Sequence, residues 1–327
     1  MAADSTIIFP PLSVLRARLT YRLLEDTTLP TYKGALLRGG FGYAFQRASC
    51  AQSCWGHAER CDAALLCPYR WVFETPHPEG VPHLHDLQDV PRPFIIEPPL
   101  DHKQHYAAGD TLDFGLVLIG RGVDFLPYFL VGFEGLGATG LGRDEAKARL
   151  ERVETLEPFR PFGTPIYQDG RVLAPADLPL LNLAELPSRA ADLAADLRVE
   201  LRTPLRVKSR GAFIEQFDLG AIVQAACWRL GSLSAFHGPG LWRADYRPLV
   251  EAARAVRVER AELRWVDWER TSTRGGERRK MTLGGLIGTA ALREVPVKVR
   301  AALLAASVLH VGKASVFGHG LVGVTHL

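Results

Sequence analysis

Two stretches of this chain carry the same succession of hydrophobic patterns, and that repetition limits the architectures it can adopt. In the first, Leu12 to Thr20 alternates as a strand does, and Tyr32 to Gln46 has helical spacing through Leu36, Leu37, Phe41 and Phe45. Trp71 to Glu74 and Leu112 to Ile119 read as strands with Pro-rich loop between them. Phe125 to Leu136 reads as a helix that runs into the Gly-rich stretch 135–142, and Leu150 to Glu154 suits a closing strand. The second stretch repeats the order. Val199 to Val207 is a strand, and Leu219 to Phe236 is a helix whose Ile222, Val223, Ala226, Cys227, Leu230 and Leu233 form one apolar face. Val256 to Arg270 and Met281 to Ala291 are strands, Val297 to Leu309 is a helix, and Ser315 to Val324 closes the block. Each block therefore reads β-α-β-β-α-β.

That order is the split βαβ, or ferredoxin-like, motif, so the expected fold is α+β with two such domains in tandem. The predicted boundaries are 1–155 for the first domain and 199–327 for the second. Between them, 156–198 is Pro-rich, then Ala/Leu/Asp-rich, and shows no convincing strand. A length of 327 residues suits two domains. With 47% apolar and 23% charged residues, a disordered chain, a collagen-like repeat and a small disulfide scaffold are excluded. No apolar run approaches the ~20 residues needed to span a bilayer. Met1 to Pro10 has no cationic start, so a cytoplasmic protein without membrane partners is expected.

Net charge is only +3, so bulk electrostatics does not announce nucleic acid. Arginine outnumbers lysine 32 to 7, a ratio that GC-rich codon usage accounts for; position is more informative. Arg202, Arg206, Lys208 and Arg210 fall in nine residues without an acid, and in an extended segment the last three share one face. Such a row suits a polyanion backbone, or equally a charged strand edge that resists aggregation. A second cluster tips the balance. Arg270, Arg274, Arg278, Arg279 and Lys280 crowd an apparent hairpin tip with one acid and three hydroxyls, preceded by Trp265 and Trp268, which suit base stacking or core packing. The third element is the Gly-rich stretch 310–320. Its glycines let backbone N–H groups approach a phosphate, with Lys313, Ser315 and His319 as donors. P-loop spacing is missing, and the order is helix to loop to strand.

Four of the five cysteines, Cys50, Cys54, Cys61 and Cys67, lie within 18 residues, spaced C-x3-C-x6-C-x5-C. In a cytoplasmic chain this argues for a structural Zn²⁺ held by thiolates, against the plainer reading of four unrelated thiols. His57 sits among them and reads as a proton-transfer group, a further ligand or a surface residue.

Together these features resemble the CRISPR-associated endoribonucleases that process repeat transcripts, within the RAMP superfamily. The resemblance rests on the stretches 29–39, 67–75, 118–128, 203–208 and 283–288, and on His310-Val-Gly-Lys through Phe317-Gly-His-Gly320. It implies tandem ferredoxin-like (RRM-like, βαββαβ) domains with a C-terminal Gly-rich loop, as the pattern does. It also implies metal-independent RNA cleavage by attack of a ribose 2′-hydroxyl, leaving a 2′,3′-cyclic phosphate and a 5′-hydroxyl. Repeat RNA or guide RNA is the implied partner, with other subunits of a CRISPR effector complex, and no catalytic cofactor is needed. Many relatives place a His near the end of the first helix. That helix has none here, which leaves His57 as the nearest candidate acid or base and Lys33 as a charge stabiliser. Arg38, inside the first matching stretch, joins the expected RNA-binding residues. The alternatives are a non-catalytic RNA-binding subunit of the same superfamily and, more remotely, a zinc-bearing interaction module.

Overall fold

The computed structural model describes residues 7–50, 57, 60–62, 66–79, 90–157, 159–160, 162–173, 177–267, 269–272, 279–282 and 284–327. These form two compact units, one of Ser13–Leu181 with Phe236–Gly238 and one of the remainder.

In the N-terminal unit, β1 (Ser13–Leu23) buries Leu15, Ala17, Leu19, Tyr21 and Leu23 on one face and turns Arg16, Arg18, Thr20 and Arg22 to the other. The chain continues through α1 (Gly34–Ser49), α2 (Pro68–Phe73), β2 (Phe94–Glu97), β3 (Thr111–Ile119), α3 (Leu126–Thr139) and β4 (Ala148–Leu156). It then adds β5 (Gly163–Gln168) and β6 (Arg171–Val172). The antiparallel sheet runs β2-β3-β1-β4-β5-β6, whose first four strands give the ferredoxin-like order. Helices α1 and α3 cover the apolar row. Phe41 of α1 stacks on Phe129 and Phe133 of α3 at 5.2 and 4.3 Å, and the Tyr21 hydroxyl donates to the Phe133 carbonyl at 2.5 Å.

Two expectations are corrected here. Trp71 to Glu74 is not a strand but the end of α2, where Pro68 supplies a preset φ at the helix start and Tyr69, Val72 and Phe73 turn inward. The second strand is instead Phe94–Glu97, paired to β3 from Phe94↔Leu118 to Glu97↔Gly115. The stretch 156–198 also carries strands, since β5 and β6 extend the N-terminal sheet. The division between units falls at Leu181/Asn182.

The C-terminal unit contains α4 (Leu186–Ala191), β7 (Leu197–Leu205), a small hairpin of β8 (Lys208–Ser209) and β9 (Ala212–Phe213), α5 (Leu219–His237) and α6 (Arg247–Arg254). There follow β10 (Arg257–Val266), a second hairpin of β11 (Glu269–Ser272) and β12 (Arg279–Thr282), then β13 (Gly285–Arg293), α7 (Val297–Leu309) and β14 (Val322–His326). Its sheet runs β10-β13-β7-β14, again the ferredoxin-like order. Leu197, Val199 and Leu201 of β7 face the core with Ala290, Leu292 and Val322. α7 is buried on nearly every side, which suits its run of Ala, Leu and Val. The expected closing strand begins only at Val322, because Ser315–Phe317 is a 3₁₀ turn. Among the described residues no helix is long and apolar enough to cross a membrane.

Candidate nucleic-acid interface

Strand register brings the three cationic elements of the C-terminal unit to one end of its sheet. β7 ends at Leu205, which pairs with Leu286 at the start of β13, so the β11–β12 hairpin leaves the sheet beside the last residues of β7. From Leu205 the chain passes to Arg206, which forms a parallel bridge with Gly312 of the Gly-rich loop. The loop is fastened along this line. The Lys313 amide donates to the Arg206 carbonyl at 3.1 Å, and the Gly320 amide to the Pro204 carbonyl at 3.1 Å. Thr203 Oγ1 donates to the Gly318 carbonyl at 2.8 Å and accepts from the Leu321 amide at 2.9 Å. The approach is close enough to demand glycine. A Cβ on Gly320 (φ +72°) would lie 1.8 Å from the Val311 carbonyl oxygen, and one on Gly312 (φ +87°) 2.5 Å from that of Arg206.

The β8–β9 hairpin projects from the same place. Lys208 pairs with Phe213 and Ser209 with Ala212, around a turn in which Arg210 (φ +51°) and Gly211 (φ +88°) both take left-handed backbone, as a two-residue hairpin turn requires. The expected single extended row of Arg206, Lys208 and Arg210 is thus broken by the end of β7 and by this turn. The cations still gather, around an aromatic ring. The Arg206 guanidinium lies 4.3 Å and the Lys208 ammonium 5.3 Å from the Phe213 ring centre. Phe213 was not among the expected site residues; the only signal for it was an aromatic two positions beyond Gly211. Lys208, Arg210 and Lys313 are exposed, and none of them forms an ion pair among the described residues.

Other expected residues lie elsewhere. Ser315 and His319 are buried, 6% and 1% exposed, so they hold the loop from inside and do not face a phosphate. Burial, then the neighbouring His310 and Arg206, push the His319 pKa down to about 4. His310 is also buried, its Nδ1–H donating to the His319 carbonyl at 3.0 Å. Of the second basic cluster, the backbone pairs Arg270↔Met281, Thr271↔Lys280 and Ser272↔Arg279 confirm a hairpin. Arg274, Arg278 and Trp268 lie outside the described residues, while Trp265 is exposed.

In the N-terminal unit, Lys33 is fully buried just before α1. Its ammonium donates to the Lys103 carbonyl at 2.7 Å and the Thr31 carbonyl at 3.4 Å, and lies 3.7 Å from Asp101. Desolvation lowers its pKa. These contacts make it a structural lysine that ties a loop to the helix start, in place of the expected charge stabiliser. Arg38 is half-buried with its guanidinium 4.8 Å from the Phe73 ring centre, so it packs over the aromatic core. His57 is exposed. Cys50, Cys61 and Cys67 are half-buried and in no disulfide, and Cys54 lies outside the described residues. Among the described residues no group of three or more His, Cys, Asp or Glu is gathered to hold a metal, so the zinc site is not found there.

Residues 199–322, which contain the whole cationic end, match the family model described as CRISPR-associated endoribonuclease Cas6. This part of the chain is similar to the Cas6 family. Residues 11–178 match a second model, AF_1859_N, described as an N-terminal domain. No curated protein matches the chain. Among solved structures, a Cas6 product complex superposes with TM-score 0.56 at 17% identity, covering 95% of this chain and 99% of that one. A Cas6 of Thermus thermophilus gives 0.53 at 16%, covering 96% and 99%. A partial Cas6-RT-Cas1–Cas2 complex gives 0.61 at 13% and covers 98% of this chain, which spans about half, 47%, of that longer one. These likenesses support the tandem Cas6 fold.

Proposed function

We propose that the chain cleaves CRISPR repeat transcripts into guide RNAs, with the cationic end of the C-terminal sheet gripping the RNA backbone. The observation that carries this reading is the Arg206–Gly312 bridge, which fastens Lys313 beside Lys208 and Arg210 inside the segment that the endoribonuclease model matches. Exposed cations that form no ion pair among the described residues, around a ring that can stack, suit a phosphate backbone with unpaired bases. Other CRISPR proteins are the partners this reading implies.

The chemistry follows from the ribose. The 2′-oxygen attacks the adjacent phosphorus while a base takes its proton, the bond to the 5′-oxygen breaks, and an acid protonates that leaving oxygen. Cations stabilise the phosphorane between these events. No metal is needed to generate the nucleophile. His57 is assigned the proton transfer, since its imidazole is exposed and Lys33 is committed to backbone carbonyls. A second reading, a non-catalytic RNA-binding subunit, is favoured by one observation: α1 carries no His.

The test is cleavage of the cognate repeat transcript. Cutting should persist in excess chelator and leave a cyclic phosphate. One deoxyribose 5′ to the scissile phosphate should abolish it with binding retained. His57→Ala should slow it by about 10²–10⁴-fold at unchanged affinity. A requirement for Mg²⁺, or cutting of the deoxy substrate, rejects the mechanism. Tight binding without any cleavage selects the second reading.

A further inference from the structure

The C-terminal unit holds an open cleft of about 760 Å³ where residues 212–220 pass the end of α6 and the start of β10. That is the size of a small-molecule site. Phe213, Ile214, Phe217, Val256 and Val258 give it apolar walls. The first turn of α5 adds Gly220, and the Arg254 stem lies across that turn so closely that a Cβ on Gly220 would collide with it. The cleft meets the cationic rim at Phe213, which belongs to both. Its ring carries the Arg206 guanidinium and the Lys208 ammonium, and the same side chain lines the cleft. Four polar side chains also line it, and two are already committed. Asp218 caps α5, its Oδ1 accepting from the Ala221 amide at 2.8 Å, and Arg254 pairs with Glu251 at 2.6 Å. Glu215 and Gln216 are exposed and form no ion pair or side-chain hydrogen bond among the described residues.

We infer that the cleft takes one unpaired guanine of the RNA held on the cationic rim, an assignment that rests on the rim being an RNA grip. Its apolar walls suit the faces of a flat ring, and its two uncommitted side chains select the edge. Glu215 brings acceptors alone, and Gln216 brings an amide donor as well. That pair asks for two adjacent donors beside an acceptor. Among the RNA bases guanine alone has such an edge: N1–H and the N2 amine for the Glu215 carboxylate, and O6 for the Gln216 amide. Adenine and cytosine set a single donor beside an acceptor, and uracil sets one donor between two acceptors. Each would leave the carboxylate facing an acceptor, which costs binding. The assignment also accounts for a charge that the grip alone does not need. A carboxylate near a phosphate site repels the backbone, and it becomes useful by meeting donors on a base. A free guanine nucleotide carries the same edge. The rim continues from Lys208 to Lys313 of a second segment, and that extent favours a polymer.

Fluorescence anisotropy of the full chain with labelled RNA heptamers reads the preference directly. UUUGUUU should bind about tenfold tighter than UUUUUUU. UUUIUUU, whose inosine lacks the N2 amine, should bind about fivefold more weakly than UUUGUUU. Glu215→Gln should bring the ratio of guanine to uracil heptamer to within about twofold, as should Gln216→Glu, which sets a second carboxylate against O6. Melting curves show that both variants are folded. Equal binding of the three heptamers by wild type, or a guanine preference that survives Glu215→Gln, overturns the inference and leaves the grip standing. A wild type that binds none of the heptamers overturns the grip, and the inference with it. GMP that binds as tightly as UUUGUUU makes the occupant a free nucleotide and overturns the assignment to RNA.

Discussion

On β1 of the N-terminal sheet, Arg16, Arg18 and Arg22 face carboxylates of the same sheet, Glu97 of β2 and Glu154 and Glu151 of β4, at 3.3, 3.0 and 2.6 Å. At the end of the C-terminal sheet, Lys208, Arg210 and Lys313 stand clear of any carboxylate among the described residues. Two domains of one topology thus use cations in opposite ways. In the first, each Arg arrives with an acid one or two strands away, so the outer face is close to neutral and its field is short-ranged. In the second, the backbone carbonyls of Pro204 and Arg206 fix the loop, which leaves the side chains to solvent and to a ligand. The difference teaches that counting basic residues locates nothing; the distribution of their counter-charges does.

The comparison breaks first, and most visibly, on RNA affinity. Replacing Arg206, Lys208, Arg210 and Lys313 together by Gln should weaken RNA binding by about 10²–10³-fold and flatten the slope of log affinity against log salt by about three. Filter binding at several salt concentrations measures both. An unchanged slope would place the RNA elsewhere.

A smaller effect comes from acid. The His319 pKa is depressed from 6.5 to about 4, so between those values the unfolded chain binds a proton that the folded chain does not. Stability from this group is therefore full above about pH 6.5 and falls as pH drops towards 4, by on the order of 3 kcal/mol. Denaturant melts at pH 4.5 and 7 should differ accordingly, and His319→Gln should shrink the difference. RNA affinity per folded molecule should hold across that range, since the imidazole is internal.

The smallest effect sharpens the contrast from the other side. Replacing Arg16, Arg18 and Arg22 by Gln should change RNA affinity by less than about twofold and leave the salt slope as it was, because each cation is already answered by an acid. Melting temperature should fall slightly. A loss of affinity comparable to that of the C-terminal variants would erase the distinction between the sheets.

Much of this architecture was legible in the residues. The helices α5 and α7 and the strands β1, β3 and β7 announce themselves by period, since long buried elements leave long patterns. Trp71 to Glu74 misled because four apolar or bulky residues in a row fit either a strand or a helix turn, and Pro68 was the cue that decided it. Phe94–Glu97 was hidden by its shortness and its proline neighbours. In the candidate site, the cationic rim was visible and its internal logic was not. Ser315 and His319 sit among glycines, which suggests an open cradle, but those glycines serve to bring two backbones together and bury what lies between. Lys33 read as a charge stabiliser at a helix start. Only the carbonyls of Thr31 and Lys103, the latter seventy residues away, reveal it as a fastener.

The seam between the Gly-rich loop and the end of β7 joins residues 203–206 to 312–321, more than a hundred positions later. A growing chain therefore carries Arg206, Lys208 and Arg210 for a long interval before Gly320 leaves the ribosome and the loop can close over them. Translation at about 5–20 residues per second makes that interval several seconds. The basic rim assembles last, so a half-made protein cannot seize its transcript in the finished geometry, and a ribosome stalled short of Gly320 holds a chain whose two halves of the rim have never met.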